Sequence, residues 1–258
     1  MLLYSQINTT YHKKYRRIIS TVPSLTELLS DLDLEQEVIG ITKFCVHPAE
    51  WFHNKARVGG TKTLKMEAIK KLQPELIICN KEENTREQVE ELSKIYTVLL
   101  TDISNLESAL IAIRNIGQLT GRIEQANNLT ISIESKFLQL KKATAERRTQ
   151  KAAYLIWKEP FMTAGGDTFI NDMMAHCGLT NAFSDVDRYP ETSLIELNRR
   201  GCEMILLSSE PYPFKQNHVA EIKAALQDVQ VKLVDGEMFS WYGSRLLKAA
   251  DYLENLSI

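Results

Sequence analysis

The segment GRIEQANNLTISIESKFLQLKKATAERR (Gly121–Arg148) interrupts the pattern that the rest of the chain follows. Beyond Gly121 it contains no glycine, no proline and no run of residues typical of a strand. Its apolar residues recur at the spacing of one amphipathic helix, at Ile123, Ala126, Leu129, Ile133, Phe137 and Leu140. A helix rises about 1.5 Å per residue, so this one would be roughly 40 Å long. We predict one long bridging helix over residues 122–148.

On both sides of this segment, short apolar runs alternate with helical patterns. The runs predict strands at Arg17–Thr21, Val38–Ile41, Leu76–Cys79, Thr97–Leu100, Ala152–Trp157, Met204–Leu207 and Val231–Val234. Helical patterns fill most of the gaps, for example Ser24–Leu32, Met66–Leu72 and Thr85–Ser93. This alternation favours parallel sheets covered by helices. We therefore predict an α/β protein with an N-terminal lobe (residues 1–121), the bridging helix and a C-terminal lobe (residues 149–258).

A weak internal repeat supports the division into two lobes. MEAIKKLQPELIICNKE (Met66–Glu82) aligns at a constant offset with LIELNRRGCEMILLSSE (Leu194–Glu210). Each copy reads as a helix, a turn and an apolar strand, and each strand runs into a polar loop. Because open α/β sheets bind ligands beyond the carboxyl ends of their strands, we expect these loops to line a cleft between the lobes.

Composition and motifs exclude several classes of function for this chain. The chain has 258 residues, 44% of them hydrophobic, and a net charge of −2. It therefore lacks the general basic field of a nucleic-acid-binding protein.

Ser5, Gln6 and Asn8 interrupt the apolar start, so the chain as it stands shows no export signal. Common nucleotide, hydrolase and zincin motifs are absent. The four cysteines form no C-x-x-C pair, and we expect four free thiols.

Five segments, taken in order, resemble a known family. They are RIISTVPSLTELL, VIGITKFCVHP, VGGTKTLKMEAIKKLQPELIICN, PFMTAGGDTFINDMMAHCGLTNAF and MFSWYGSRLLKAADYL. They are similar to the helical-backbone metal receptors, the substrate-binding proteins of ABC uptake systems for iron–siderophores, haem and vitamin B12, with the strongest similarity to the vitamin B12-binding branch. The resemblance implies the class III periplasmic-binding-protein architecture, in which one long helix bridges two lobes. It also implies a periplasmic or cell-surface protein without catalytic activity.

The resemblance and the loop positions together nominate ligand-binding residues. They are Ser24, Phe44, Cys45, His47, Lys62 and Asn80 in the first lobe, and Trp157, Phe161, Tyr189, Trp241 and Tyr242 in the second. Aromatic rings at strand ends offer apolar faces to a flat macrocycle or a catecholate. The B12-binding branch tends to carry a tryptophan near Thr61, and its absence here leaves the identity of the chelate open.

Several of these residues also have an ordinary structural interpretation. Ser24 and Glu27 have the spacing of a capping box, although the same helix end would attract an anion. Cys45 and His47 alternate along the chain and together would suit a transition metal, although two ligands are few and a loop role is the simpler reading. Lys62 would suit a carboxylate or phosphate, or be a solvated surface lysine. Arg245 resembles a family arginine that pairs with a carboxylate.

The resemblance further implies a membrane partner and no intrinsic cofactor. Family members dock on an ABC permease through one glutamate of each lobe, which here would be Glu67 and Glu196, although Ile195 occupies the matching position in the second lobe. We expect a monomer that binds a small metal chelate. Two alternatives stay open: a cytosolic chelate sensor or carrier on the same fold, or an enzyme with a nitrogenase-like or chelatase-like cleft. We expect a cytosolic location if the given N-terminus is native.

Overall fold

Two structural units make up the chain in the computed structural model, which describes residues 1–4 and 13–256. The first unit is Met1–Glu134 with Tyr242–Leu246, and the second is Ser135–Trp241 with Leu247–Ile258. Ser5, Gln6 and Asn8, on which the expectation about export rests, lie outside the described residues.

The first unit contains one six-stranded sheet and a small hairpin. Its strands are β1 (Leu2–Tyr4), β2 (Ile18–Ser20), β3 (Val38–Ile41), β4 (Ala56–Arg57), β5 (Gly59–Gly60), β6 (Thr63–Leu64), β7 (Leu76–Asn80) and β8 (Thr97–Thr101). Its helices are α1 (Pro23–Asp31), α2 (Ala49–Asn54), α3 (Met66–Leu72), α4 (Arg86–Ser93) and α5 (Leu106–Thr120). The sheet order is β1-β8-β7-β2-β3-β4, and β5 and β6 form the hairpin.

All neighbouring strands of the six-stranded sheet are parallel, as predicted. β7 lies inside the sheet, and all five of its residues are buried. Parallel strands are covered by helices on both faces, so they read as continuous apolar runs. Ile19, Ile69, Ile77 and Val98 belong to one core cluster on this sheet.

The bridging segment forms one helix, α6 (Ile123–Thr144), and the boundary between the two units falls within it. It follows α5, whose C-cap residue Gly121 has a left-handed φ of 75°. The helix ends four residues earlier than predicted, because no apolar residue continues its buried stripe after Leu140. Ile123 is exposed and therefore stands outside that stripe. Among the described residues, no helix is both long enough and apolar enough to cross a membrane.

The second unit has a sheet of mixed direction. Its strands are β9 (Gln150–Trp157), β10 (Phe161–Thr163), β11 (Leu179–Asn181), β12 (Glu191–Thr192), β13 (Met204–Ser208) and β14 (Gln230–Val234). Its helices are α7 (Phe169–His176), α8 (Leu194–Arg199), α9 (Gln216–Ala225), α10 (Glu237–Ser240) and α11 (Leu246–Glu254), the last beginning at the boundary residue Leu246. β9, β13 and β14 are parallel, and β11 is parallel to β9. β10 and β12 add an antiparallel edge that the sequence analysis did not predict.

The internal repeat corresponds to one structural motif in each unit. In the first, α3 leads into β7, and in the second, α8 leads into β13. Both strands are buried along their whole length and end on a polar residue, Asn80 or Ser208. The repeat therefore places two comparable loops, one in each unit, at the carboxyl end of a central strand.

The four cysteine thiols are buried and free. Burial raises the pKa of Cys79 and of Cys177 to about 12 and that of Cys202 to about 11, and it also raises the pKa of Cys45. Because the thiolate is the reactive form, we expect a disulfide-exchange reagent at pH 8 to modify the native protein only as fast as it unfolds. In denaturant without reductant, four thiols should react at once. Rapid modification of the native protein, or fewer than four thiols in denaturant, would contradict this expectation.

Candidate functional site

The loops that follow β2, β3 and β7 carry the nominated residues of the first unit. These strands are parallel, so their loops leave from the same edge of the sheet. The β5–β6 hairpin joins this edge because the Asn84 side-chain amide donates a hydrogen bond to the carbonyl oxygen of Thr61, at 2.8 Å. The candidate surface of this unit is built from these four segments.

Helix α1 begins without the predicted capping box. Its N-cap residue is Val22, and Pro23 occupies the first turn, so Ser24 lies two positions too late to cap. Proline fits this place because its fixed φ and missing N–H suit the first turn. Glu27 instead accepts two hydrogen bonds of 2.7 Å from the guanidinium of Arg245. The capping box is wrong, whereas the predicted pairing of Arg245 with a carboxylate is confirmed.

Cys45 points into the protein rather than towards a ligand. Its Sγ accepts a hydrogen bond from Thr26 Oγ1 at 3.1 Å and lies 3.2 Å from Thr42 Oγ1. The side chain is fully buried, whereas His47 is half-buried. Cys45 and His47 therefore do not share one exposed face, which corrects the idea of a thiolate–imidazole pair. Nowhere in residues 1–4 and 13–256 do three or more His, Cys, Asp or Glu side chains form a group that could hold a metal ion.

Asn80 is also a structural residue, which corrects its nomination as a ligand contact. Its side-chain amide donates to Thr101 Oγ1 at 3.0 Å, and its Oδ1 accepts from the backbone N–H of Glu82 at 2.8 Å. Asn84, which the sequence analysis missed, accepts from Thr21 Oγ1 at 2.9 Å. Together these hydrogen bonds hold the loop after β7 in one conformation.

Phe44 and Lys62 are the exposed nominees of the first unit. Phe44 is 49% exposed, and Lys43 Nζ lies 4.9 Å from its ring centroid, within the range of a cation–π contact. The ring stands against Gly60, where an added Cβ would lie 3.1 Å from Phe44 Cε2. This loop edge thus offers one aromatic ring beside the Lys43 ammonium group.

An aromatic cluster follows β9 and β13 in the second unit. Trp157 is 41% exposed, and its ring centroid lies 5.7 Å from that of Tyr212 in an edge-to-face contact. Tyr212 packs at 4.7 Å on Phe214, which belongs to the core. Tyr212 was not nominated, because sequence alone did not reveal which aromatic residue of that loop supports Trp157.

The other aromatic nominees of the second unit lie deeper. Phe161 is half-buried and packs on the core cluster beneath β9 and β13. Tyr189 is half-buried, with the Arg188 guanidinium 5.9 Å from its ring centroid. Trp241 is 7% exposed, and Tyr242, which is assigned to the first unit, is also buried.

Glu210 anchors Trp241 and was missed by the sequence analysis. Its Oε1 accepts a hydrogen bond from the indole Nε1 at 2.8 Å. Burial raises the pKa of this carboxyl group. Beside it opens a shallow pocket at the ends of β13 and β14, lined by Ser209, Glu210, Leu233, Val234, Asp235 and Glu237.

The two nominated docking glutamates differ in their surroundings. Glu67 is exposed in the first turn of α3 and forms a 2.8 Å ion pair with Lys70. Glu196 accepts from the guanidinium groups of Arg199 and Arg200, which lower its pKa to about 2. Ile195 beside it is 82% exposed. The carboxylate of Glu196 is therefore already engaged by two arginines at the end of α8.

Comparison with known proteins places this architecture in a family. The model of the periplasmic binding protein family matches residues 18–231. The chain is 23% identical over 248 residues to the vitamin B12-binding protein of Pectobacterium atrosepticum, covering 92% of this chain and 87% of that protein. It is 24% identical over 260 residues to YvrC, an uncharacterized ABC transporter substrate-binding lipoprotein of Bacillus subtilis, covering 96% and 82%.

Solved structures share the fold. The periplasmic vitamin B12-binding protein BtuF of Vibrio cholerae superposes with a TM-score of 0.80 at 19% identity, covering 93% of this chain and 95% of that one. The periplasmic haem-binding protein RhuT of Roseiflexus sp. RS-1 superposes with a TM-score of 0.79 at 17% identity, covering 94% and 97%. These matches confirm the predicted two-lobed α/β fold, and the family match extends over most of the chain. The chain belongs to the periplasmic binding protein family.

Proposed function

We propose that this protein captures a metal chelate (a corrinoid, a ferric siderophore or haem) and delivers it to an ABC permease. The observation that carries the proposal is the exposure of an aromatic ring at the carboxyl edge of each sheet, Phe44 in the first unit and Trp157 in the second. Exposed aromatic rings at strand ends offer large apolar faces to a flat ligand. The names of the relatives, which include vitamin B12-binding and haem-binding proteins, support the ligand class.

The proposed contacts are the nominees whose side chains remain near these loops. They are Ser24, Phe44, His47 and Lys62 from the first unit, Trp157, Phe161, Tyr189 and Trp241 from the second, and the boundary residue Tyr242. A fully buried aromatic side chain contributes roughly 1.5–3 kcal/mol. Several such contacts together would be enough for micromolar or tighter binding. Lys62 and Lys43 would favour chelates that carry carboxylate or phosphate groups.

The test is a titration of the purified protein with haem, cobinamide, cobalamin and ferric siderophores, after the absorbance spectrum and mass of any copurifying compound have been recorded. For the compound that binds, Phe44→Ala and Trp157→Ala should each weaken affinity by about ten- to a hundredfold, the equivalent of 1.5–3 kcal/mol. Ligand absorbance or calorimetry should be the readout, since Trp157 itself contributes to the fluorescence.

Ile95→Ala is the matched control for this titration. Ile95 is also a large exposed apolar residue of the first unit, but it lies two residues before β8, at the amino end of the strands. Its replacement should leave the affinity unchanged. Equal effects of all three substitutions, or no binding of any chelate by the wild-type protein, would refute the proposed site.

Delivery to a permease is proposed through Glu67, because its carboxylate is exposed and forms a surface ion pair with Lys70. Such pairs contribute little and exchange readily with a partner's arginine. Docking through Glu196 would require it to leave two guanidinium groups, so the exposed Ile195 is the more accessible contact of α8. Family membership supports a location at the outer face of a membrane, where permeases of this class receive their ligands.

A further inference from the structure

The side chain of Glu210 joins two segments of the second unit. Its Oε1 accepts hydrogen bonds from Ser240 Oγ at 2.9 Å and from Trp241 Nε1 at 2.8 Å. Glu210 follows β13, whereas both donors follow β14 at the end of α10. One carboxylate oxygen therefore fixes the indole ring of Trp241 to the neighbouring loop.

The surroundings of Glu210 are acidic. Burial is the main cause that raises its pKa, Glu237 and Asp235 raise it further, and the two hydrogen bonds lower it without cancelling the rise. Within the described residues, no lysine or arginine pairs with this carboxylate. The Tyr154 hydroxyl, whose pKa burial raises, also lies nearby and donates to Ser208 Oγ at 3.0 Å. Ionised Glu210 is thus held without a compensating cation.

A raised pKa in the folded protein means that the ionised form destabilises the fold. The protein is relatively more stable at a pH below the folded pKa and loses that advantage as the pH rises through it. A neutral residue of the same shape would therefore make the fold more stable at neutral pH. Because the charge of Glu210 does not stabilise the fold, its role is better explained by the Trp241 ring that it orients.

We propose that Glu210 is a positioning residue, which holds the Trp241 indole in one orientation and so shapes the aromatic surface that the second unit presents to a chelate. Trp241 is 7% exposed, and the bond from its Nε1 restrains the orientation of the ring. A charged acceptor gives a shorter and stronger hydrogen bond than a neutral one. The part of this proposal that concerns the ligand rests on the proposed function.

The orientation is tested without ligand, by NMR of the three tryptophan indole N–H groups, with Trp241 assigned through Trp241→Phe. In the wild-type protein the Trp241 indole N–H resonance should move downfield as the pH rises, because Glu210 ionises. The midpoint of this change should lie above pH 4.5, the ordinary pKa of a glutamate carboxyl. Glu210→Gln should abolish that titration, and Glu210→Ala should also make the indole proton exchange rapidly with solvent. An indole resonance that is unchanged in Glu210→Ala would overturn the proposal.

Glu237→Gln is the matched control, since it removes a neighbouring charge without removing an acceptor of Nε1. It should keep the downfield indole resonance and lower the midpoint of its titration, because Glu237 raises the Glu210 pKa. Glu210→Gln should also unfold at the same or a higher temperature than wild type at pH 7.5, and the difference should vanish on acidification. A markedly lower unfolding temperature of this variant would assign Glu210 a stabilising role instead and overturn the proposal.

The ligand part is tested with the chelate that binds most tightly. Glu210→Ala should weaken its binding at least tenfold while the far-UV circular dichroism stays unchanged, and Glu210→Gln should give an intermediate loss. If the Trp241 indole proton exchanges rapidly in Glu210→Ala but the affinity for the chelate is unchanged, the proposed role of Glu210 in ligand binding is wrong. If the wild-type protein binds no chelate, the proposed function fails, and the indole titration still decides whether Glu210 positions Trp241.

Discussion

Replacing Arg245 by alanine should lower the free energy of unfolding by about 3–5 kcal/mol, as expected when one partner of a buried ion pair is removed. Arg245 is 6% exposed and Glu27 is 8% exposed, and two hydrogen bonds of 2.7 Å join them within the first unit. Alanine would leave the Glu27 carboxylate buried without its cation. Urea denaturation of the full chain, followed by circular dichroism, measures the loss.

Two further variants separate the ion pair from other effects of truncating a long side chain. Replacing both partners by methionine should recover most of the loss, because a buried pair exchanged for apolar residues of similar size is often close to neutral. Arg114→Ala removes an arginine from an exposed pair with Glu134 in the same unit and should cost less than about 1 kcal/mol. Similar losses of unfolding free energy for Arg114→Ala and Arg245→Ala would show that burial of the ion pair does not increase its contribution to stability.

The central strands were predictable because burial on both faces gives them continuous apolar sequences. The predicted strand Leu76–Cys79 extends by one residue to Asn80, and Met204–Leu207 extends to Ser208. In both cases a polar residue completes the strand because its side chain finds hydrogen bonds inside the protein. A pattern of hydrophobicity contains no information about such partners.

Short edge strands escaped prediction for a different reason. β1 has three residues and β12 has two, which is too few to show a period of two. β1 exists because it pairs with β8, and β12 because it pairs with β10. Their structure is decided by distant partners rather than by their own residues.

The candidate site was predictable at the level of loops but not of side-chain direction. The expectation for Cys45 and His47 assumed an extended segment, in which alternate residues share a face. The backbone N–H of Cys45 instead donates to the carbonyl of Thr42 at 3.3 Å, so the segment turns and the thiol enters the core. Glu210 was missed because its partner Trp241 lies 31 residues further along the chain.

Gly165→Ala should also destabilise the protein strongly, by about 3 kcal/mol, the upper part of the usual range for overpacking. Its peptide N–H donates to the carbonyl oxygen of Arg188 at 2.7 Å, so two backbone segments lie in direct contact there. An added Cβ would lie 2.2 Å from the carbonyl oxygen of Val186. Backbone atoms cannot rotate away as a flexible side chain can, so the loop that carries Tyr189 must move.

Gly201→Ala is the control that separates this clash from the conformational freedom of glycine. Gly201 has a left-handed φ of 67°, but no heavy atom lies within 4 Å of its added Cβ. Alanine there should cost only about 1 kcal/mol, the strain of a left-handed residue. Gly165→Ala should in addition weaken chelate binding at temperatures where the variant is folded, because Tyr189 is displaced, whereas Gly201→Ala should bind normally. Equal stability losses for the two variants, measured by urea denaturation, would show that the close approach at Gly165 is relieved without cost.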